Sequence, residues 1–143
     1  MKHYDRAWAE IDLDALLFNI EEIKKSIDRT TQIIAVLKTD GYGHGAGQIA
    51  RMLERDNQVW GYAVATAEEA FALKEEGVCK PLLILGYTFP YSYERLVCEG
   101  VRSTVFTLET AQELSKAAVK HGKQCSVHIK IDTGMTRIGI HPD

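Results

Sequence analysis

Five short apolar runs alternate with helix-forming segments along this chain of 143 residues, and this rhythm limits the possible folds more than any other feature. The runs recur at intervals of roughly 20 to 25 residues, the length of one strand, one helix and their connections. They are almost continuously apolar, which is typical of parallel strands covered on both faces. The sequence predicts strands over residues 33–38, 60–65, 81–86, 102–106 and 126–132. We therefore expect an α/β protein.

Helix signals lie before and between these runs. Apolar residues at steps of three and four place one buried face on a first helix over residues 12–27, with Asp12 as its N-cap. Thr66 and Glu69 have the spacing of a capping box, which begins a helix that ends near Gly77. The other predicted helices cover residues 45–55, 93–99 and 110–121.

Two folds use this order of elements. Consecutive βα units without a GxGxxG motif fit part of a (β/α)8 TIM barrel, and an open flavodoxin-like sheet, which also has five strands, is the alternative. A complete barrel needs about 250 residues. We therefore expect a partial TIM barrel of five βα units, preceded by an N-terminal helix.

Composition and charge bear on the class of function. The net charge is −3 and the lysines are scattered, so no basic stripe for nucleic acid is expected. The longest apolar run, residues 82–85, is far too short to cross a membrane, and the polar start of the chain indicates no signal peptide. Three widely spaced cysteines without a CxxC pair predict no metal site and fit reduced, buried thiols in a cytoplasmic protein. They are Cys79, Cys98 and Cys125.

Lys38 has the most informative position among the polar residues. It ends an apolar strand and precedes a turn that contains Gly41, Gly43 and Gly45. Side chains at the carboxyl ends of parallel strands carry the chemistry of α/β proteins, whereas most lysines are exposed surface charges. Lys38 is therefore either a surface lysine or an amine held at the mouth of a barrel.

A second group of polar residues lies at the fifth predicted strand. His128, Lys130 and Asp132 share one face by alternation, so Lys130 either lines the barrel interior with them or faces the helices. A buried Lys130 near Arg137 would be a costly pair of like charges. A plain salt bridge from Asp132 to either cation is the structural alternative.

Three stretches of the sequence resemble motifs of the alanine racemase family, which comprises fold type III enzymes dependent on pyridoxal 5'-phosphate (PLP). Residues 35–45, AVLKTDGYGHG, resemble the family's lysine motif. Residues 7–16, AWAEIDLDAL, resemble its opening, and residues 130–139, KIDTGMTRIG, resemble its internal arginine motif. The resemblance covers residues 1–143 as the N-terminal portion of the barrel domain. It implies that the C-terminal barrel strands and the C-terminal β-domain are absent from this sequence.

The resemblance implies roles for five side chains. Lys38 would form the Schiff base with PLP and act as one of two catalytic bases, and Tyr42 would help to hold the cofactor phosphate. Leu85 would contact the cofactor, and Arg137 would face the cofactor's phenolic oxygen and the substrate carboxylate. Lys130 would be carbamylated, so that its added carboxylate orients Arg137.

Structural alternatives apply to several of these residues. Tyr42 could pack over the barrel rim, and Leu85 could be an ordinary core residue. His44 is more simply a structural histidine than a base. The sequence departs from the commonest family pattern at residues 39–41 and at Thr136, which bears more on the choice of substrate than on the family.

The resemblance also implies an activity. An isomerase that interconverts L- and D-alanine is expected, working as a cytoplasmic homodimer on this small amino-acid substrate and supplying D-alanine for the cell wall. Neither nucleic acid nor a membrane is an expected partner. A serine racemase of the same family and a non-catalytic PLP-binding barrel are the alternatives, and the 143-residue chain could be inactive alone. The family's opposite base, a tyrosine of the partner subunit, lies outside this sequence.

Overall fold

Two units make up the structure, a computed structural model that describes residues 6–141, so the first five residues of the polar opening lie outside it. The first unit ends at Gln32 and contains helix α1 (Leu13–Ser26). Asp12 is its N-cap, and its Oδ1 accepts the N–H of Ala15 at 2.9 Å. The predicted first helix and its cap are confirmed.

The second unit begins at Ile33 and carries the sheet and the helices that connect its strands. The strands are β1 (Ile33–Val36), β2 (Val59–Val64), β3 (Leu82–Ile84), β4 (Arg102–Val105) and β5 (Val127–Ile129). The helices are the single turn α2 (Lys38–Tyr42), α3 (Ala46–Leu53), α4 (Ala67–Glu75), α5 (Tyr93–Glu99) and α6 (Leu108–Lys120), with a 3-10 turn at Pro90–Ser92.

Strand order decides between the two folds that the sequence left open. The sheet has the order β1-β2-β3-β4-β5, and every pair of neighbours is parallel. A flavodoxin-like sheet has the order 2-1-3-4-5, so that alternative is wrong. Sequential parallel strands joined by helices are the pattern of a (β/α)8 barrel. The predicted α/β class and partial TIM barrel are confirmed.

The strand register defines two faces of the sheet. The hydroxyl of Tyr62 in β2 donates to the carbonyl of Ala50 in α3 at 2.9 Å, so helices cover the face that carries Tyr62. Leu82 pairs with Tyr62 on this face, and both side chains are fully buried. The helices contribute the buried side chains of Leu53, Leu96 and Leu114. The core of the second unit therefore lies between the sheet and its helices.

The edge strand β5 shows which face carries Lys130. The register across β3, β4 and β5 places Val127 and Ile129 on the helix-facing side. Ile129 is 68% exposed there, since no helix follows β5 within residues 6–141. His128 pairs with Thr104 on the opposite face, and alternation adds Lys130 to that face. Lys130 therefore lies on the inner face, away from the helices.

Several element ends differ from the predicted ones for local reasons. Helix α6 begins two residues earlier than predicted because the Thr107 side chain accepts the N–H of Thr110 and caps the helix. Strand β5 is shorter than predicted because the N–H of Asp132 bonds to the carbonyl of Ile140 and not to β4. The chain leaves the sheet at this point.

The surface of the described residues bears on partner classes. None of the helices among them combines the length and apolar character needed to cross a membrane. No group of three or more His, Cys, Asp or Glu side chains in residues 6–141 is placed to bind a metal ion. Cys79, Cys98 and Cys125 are free, and the expectation of burial is wrong for Cys79 and Cys98, which are exposed. Cys79 lies in the connection between α4 and β3, and Cys98 lies on the exposed side of α5.

Candidate functional site

The candidate residues follow strands at one edge of the sheet. Lys38 comes two residues after β1, Leu85 directly follows β3, and Lys130 directly follows β5. Because all the strands are parallel, these carboxyl ends share one edge. Strands β1 and β5 are four intervals apart, or about 19 Å along a flat sheet at the usual spacing of about 4.8 Å. The curvature of a barrel would shorten that separation.

Lys38 begins a turn of unusual handedness. The four residues after it have positive φ angles: 54° at Thr39, 52° at Asp40, 61° at Gly41 and 57° at Tyr42. Three of the four are not glycine, and a left-handed conformation costs an L-residue about 1–2 kcal/mol. Other interactions must therefore stabilise this turn in the folded protein.

Hydrogen bonds from the following residues close the turn. The carboxylate of Asp40 accepts the N–H of Ala46 at 2.8 Å, at the start of α3. The N–H of Gly45 donates to the Asp40 carbonyl at 2.9 Å, and Nδ1 of His44 lies 3.0 Å from the Gly41 carbonyl. A carbonyl can only accept, so Nδ1 of His44 carries the proton of this bond. The structural interpretation of His44 is supported.

Glu69 connects this turn to the next βα unit. Its Oε1 accepts the N–H of Thr39 at 2.7 Å, and its Oε2 accepts the N–H of Ala65 at 2.7 Å. Asp40 and Glu69 both border a cavity of about 140 Å³ that α3 and α4 also line. The sequence predicted Glu69 only as part of a capping box. Its bond to Thr39, which lies 30 residues away, has no local signal in the sequence.

The Lys38 amine is not engaged elsewhere in the structure. Its Nζ lies 5.6 Å from the centre of the Tyr42 ring, and it forms no ion pair within residues 6–141. Lys38 is half-buried, whereas Tyr42 is 60% exposed, which does not favour a tyrosine packed over the rim. The structure thus brings Lys38 and Tyr42 together, with the amine and the hydroxyl open to a ligand.

Lys80 shows what a structural lysine looks like in the same fold. Its Nζ donates to the carbonyls of Leu53, Asp56 and Val59 at 2.5–2.6 Å. Burial lowers the pKa of this amine, against the opposing effect of nearby carboxylates. The amine of Lys80 is therefore held by hydrogen bonds to the backbone, whereas the amine of Lys38 is not.

The segment that carries Arg137 is a closed loop. The N–H of Ile140 donates to the Lys130 carbonyl at 2.8 Å, and the N–H of Asp132 donates to the Ile140 carbonyl at 2.9 Å. The Asp132 carboxylate accepts the N–H groups of Thr136 and Gly134 at 3.0 and 2.9 Å, and these bonds lower its pKa. Asp132 thus organises the loop.

The loop, as the structure describes it, does not contain the salt bridge that was the structural alternative. Neither Lys130 nor Arg137 pairs with Asp132 within residues 6–141, so the plain salt-bridge alternative is not favoured. Arg137 is exposed, and Lys130 is half-buried on the inner face. The structure shows no contact between these two cations, or between either of them and Lys38, among the described residues. It places them at one edge without joining them.

Fold and site together define a class of protein. Sequential parallel βα units with an uncommitted lysine at the end of the first strand define the first part of a lysine-bearing (β/α)8 barrel, in which strand ends carry the chemistry. Comparison with known proteins supplies the family. The sequence model described as "Alanine racemase, N-terminal domain" matches residues 11–143, and the chain belongs to this family.

Individual relatives agree with the family match. Alanine racemase 1 of Caldanaerobacter subterraneus subsp. tengcongensis is 45% identical over 130 residues, which cover 91% of this chain and 33% of that protein. Alanine racemase of Clostridium tetani is 43% identical over 142 residues, which cover 99% of this chain and 36% of that protein. The solved structure of alanine racemase from Clostridium difficile 630 has a TM-score of 0.94 at 42% identity and covers 99% of this chain and 37% of its own. The chain thus spans about a third of the length of the relatives it matches.

Proposed function

We propose that this chain is the N-terminal barrel portion of a PLP-dependent alanine racemase, an isomerase that interconverts L- and D-alanine. The observation that carries the proposal is the amine of half-buried Lys38, which follows β1 and forms no ion pair within residues 6–141, in a chain that belongs to the alanine racemase family. The relatives it matches are named alanine racemases. A serine racemase and a non-catalytic PLP-binding barrel are therefore not favoured.

The side chains at the carboxyl ends of the strands suit a cofactor with an aldehyde and a phosphate. Lys38 supplies an amine without a competing ion pair, and the exposed Tyr42 supplies a hydroxyl that can donate to a phosphate oxygen. Leu85, half-buried after β3, offers an apolar contact. When bound, PLP serves as the electron sink for the substrate amino acid. We propose that these three residues hold it.

Arg137 would bind the substrate carboxylate, and Lys130 would orient Arg137. The guanidinium of Arg137 is exposed and unpaired within residues 6–141, and its planar fork matches a carboxylate. A carbamate on Lys130 would turn a like-charge neighbour into an anion that orients Arg137. This interpretation requires the two side chains to meet in the complete protein.

Proton movement sets a limit on what this chain can do alone. Lys38 can remove or return the α-proton on one face of the substrate, and inversion requires a second donor on the other face. The resemblance implies that this donor is a tyrosine of a partner subunit. We therefore propose a homodimer of a longer protein, in which residues 1–143 form the first part of the barrel. A cytoplasmic location and a role in supplying D-alanine for the cell wall follow from the same proposal.

Mapping of the cofactor lysine tests this proposal directly. The natural gene product that contains residues 1–143 is loaded with PLP, reduced with borohydride and digested, and the pyridoxyl-bearing peptide is sequenced by mass spectrometry. We expect the label on Lys38, with its loss in Lys38→Ala and its retention in Lys80→Met. A label on Lys130 or spread over surface lysines would overturn the assignment, and racemisation of serine in preference to alanine would overturn the substrate.

A further inference from the structure

The carboxylate of Glu69 makes bonds that its place in a capping box does not require. In a capping box the Glu69 carboxylate needs to accept only one bond, from the N–H of Thr66, and here that bond is long at 3.3 Å. The bonds from Thr39 and Ala65 are shorter, both at 2.7 Å. Thr39 follows Lys38, and Ala65 directly follows β2. The strongest interactions of Glu69 therefore join the carboxyl ends of two neighbouring strands.

The bond to Thr39 acts on the backbone of Lys38. The N–H of Thr39 belongs to the planar peptide group that joins it to Lys38, so fixing this N–H fixes the rotation about the Cα–C bond of Lys38. The same N–H stands at the start of the left-handed run over residues 39–42. A hydrogen bond to an ionised carboxylate is among the stronger ones in proteins. It is therefore suited to holding a strained turn in place.

We propose that Glu69 is a positioning residue for Lys38: its carboxylate holds the left-handed turn that presents the amine at the carboxyl end of β1. The inference rests on the proposed function for its catalytic consequence, but the holding of the turn is independent of any cofactor. Without the carboxylate, residues 39–42 relax toward right-handed conformations and the Lys38 amine loses its fixed direction.

Three variants distinguish this positioning role from the loss of a negative charge and from a weaker helix cap. Glu69→Gln keeps the size of the side chain but has one acceptor oxygen where the carboxylate has two, so it cannot serve both Thr39 and Ala65. Glu68→Gln is the matched control, because Glu68 lies on the same helical turn, loses the same charge and bonds to the Tyr91 hydroxyl at 2.8 Å. Thr66→Ala removes the acceptor of the Glu69 N–H and so weakens the helix cap while leaving the Glu69 carboxylate.

Amide hydrogen exchange of the cofactor-free gene product tests the holding of the turn. Glu69→Gln should accelerate exchange at Thr39 and over residues 38–45 at least tenfold and leave α6 unchanged. Glu68→Gln and Thr66→Ala should leave Thr39 within twofold of wild type. Unchanged protection of Thr39 in Glu69→Gln would overturn the proposal. If Glu69→Gln does not fold, the wild-type protein alone provides the test. A Thr39 amide that exchanges as fast as an amide in an unstructured chain would then overturn the proposal.

Steady-state kinetics of the PLP-loaded gene product test the catalytic consequence. We expect Glu69→Gln to lower kcat for alanine racemisation at least tenfold with KM within threefold, and Glu68→Gln to leave both within twofold. A wild-type kcat in Glu69→Gln would overturn the positioning role. Absence of racemisation in wild type would instead contradict the proposed function. The hydrogen-exchange measurement would still test whether Glu69 holds the turn.

Discussion

Two lysines of the same sheet show how environment separates a reactive amine from a structural one. Lys80 precedes β3 and donates to three backbone carbonyls, whereas Lys38 follows β1 and has only the Tyr42 ring near its amine. The sequence predicted Lys38 at the end of a strand, and the motif around it indicated a functional lysine. It offered no reason to single out Lys80, because its three acceptors lie 21 to 27 residues away.

The Lys80 bonds should matter for stability and not for chemistry. Lys80→Met keeps the apolar stem and removes the donor from three carbonyls at the α3–β2 connection, so we expect a loss of about 2–3 kcal/mol in the free energy of unfolding. Lys116→Met is the control, because Lys116 only pairs with Glu113 at an exposed site and should change stability by less than about 0.5 kcal/mol. Urea denaturation of the gene product, followed by tryptophan fluorescence, measures both. Equal midpoints for the two variants would contradict this account.

The elements of the chain were more predictable than the turns between them. Apolar runs and capping residues placed all five strands and the connecting helices α3, α4, α5 and α6, because burial and capping act locally. The left-handed turn after Lys38 was not predictable, since Thr39 and Asp40 disfavour it intrinsically and the compensating bond comes from Glu69. The face that carries Lys130 was also undetermined, because alternation defines a face only after the register to β4 is known.

The Arg137 loop contains a second element-scale feature that substitution can test. Gly139 has a φ of +135°, and an added Cβ would lie 2.6 Å from the N of Asp132, whereas Gly134 has a φ of +121° and open space around it. Gly134→Ala should cost only backbone strain, about 1–3 kcal/mol. Gly139→Ala should also displace the Asp132–Ile140 bond and shift Arg137.

Kinetics of the gene product distinguish the two glycine variants. We expect Gly139→Ala to raise KM for alanine at least fivefold and Gly134→Ala to raise it less than twofold, since only the former moves the base of the loop. Equal KM values would show that the loop base does not position Arg137.

At the scale of the whole molecule, the sheet is open at both edges within the described residues. Strands β1 and β5 each have one neighbour. Val36 on the inner face of β1 is 40% exposed, and Ile129 on the helix-facing side of β5 is 68% exposed. Open parallel edges beside exposed apolar side chains promote association. In the longer protein proposed above, we expect the further barrel strands to cover them.

Residues 1–143 by themselves should therefore associate and lack racemase activity. Sedimentation velocity of the purified chain at micromolar concentration should show oligomers or broad distributions, and added PLP should not yield racemisation of alanine at an enzymatic rate. Ile129→Lys should reduce the association, and Val119→Lys, at a 79% exposed position on α6, should not. A monodisperse monomer that interconverts the two enantiomers would show this expectation to be wrong.

The bond between Glu69 and Thr39 also has a consequence for recombination and design. In a barrel of repeated βα units, a designer could exchange single units between homologues on the assumption that each unit carries its own catalytic side chain. Here the residue that holds the first unit's lysine turn belongs to the second unit. The smallest exchangeable module that preserves the geometry of Lys38 is therefore two consecutive units, from the start of β1 to the end of α4. A graft of the lysine segment alone would transfer the amine without its support.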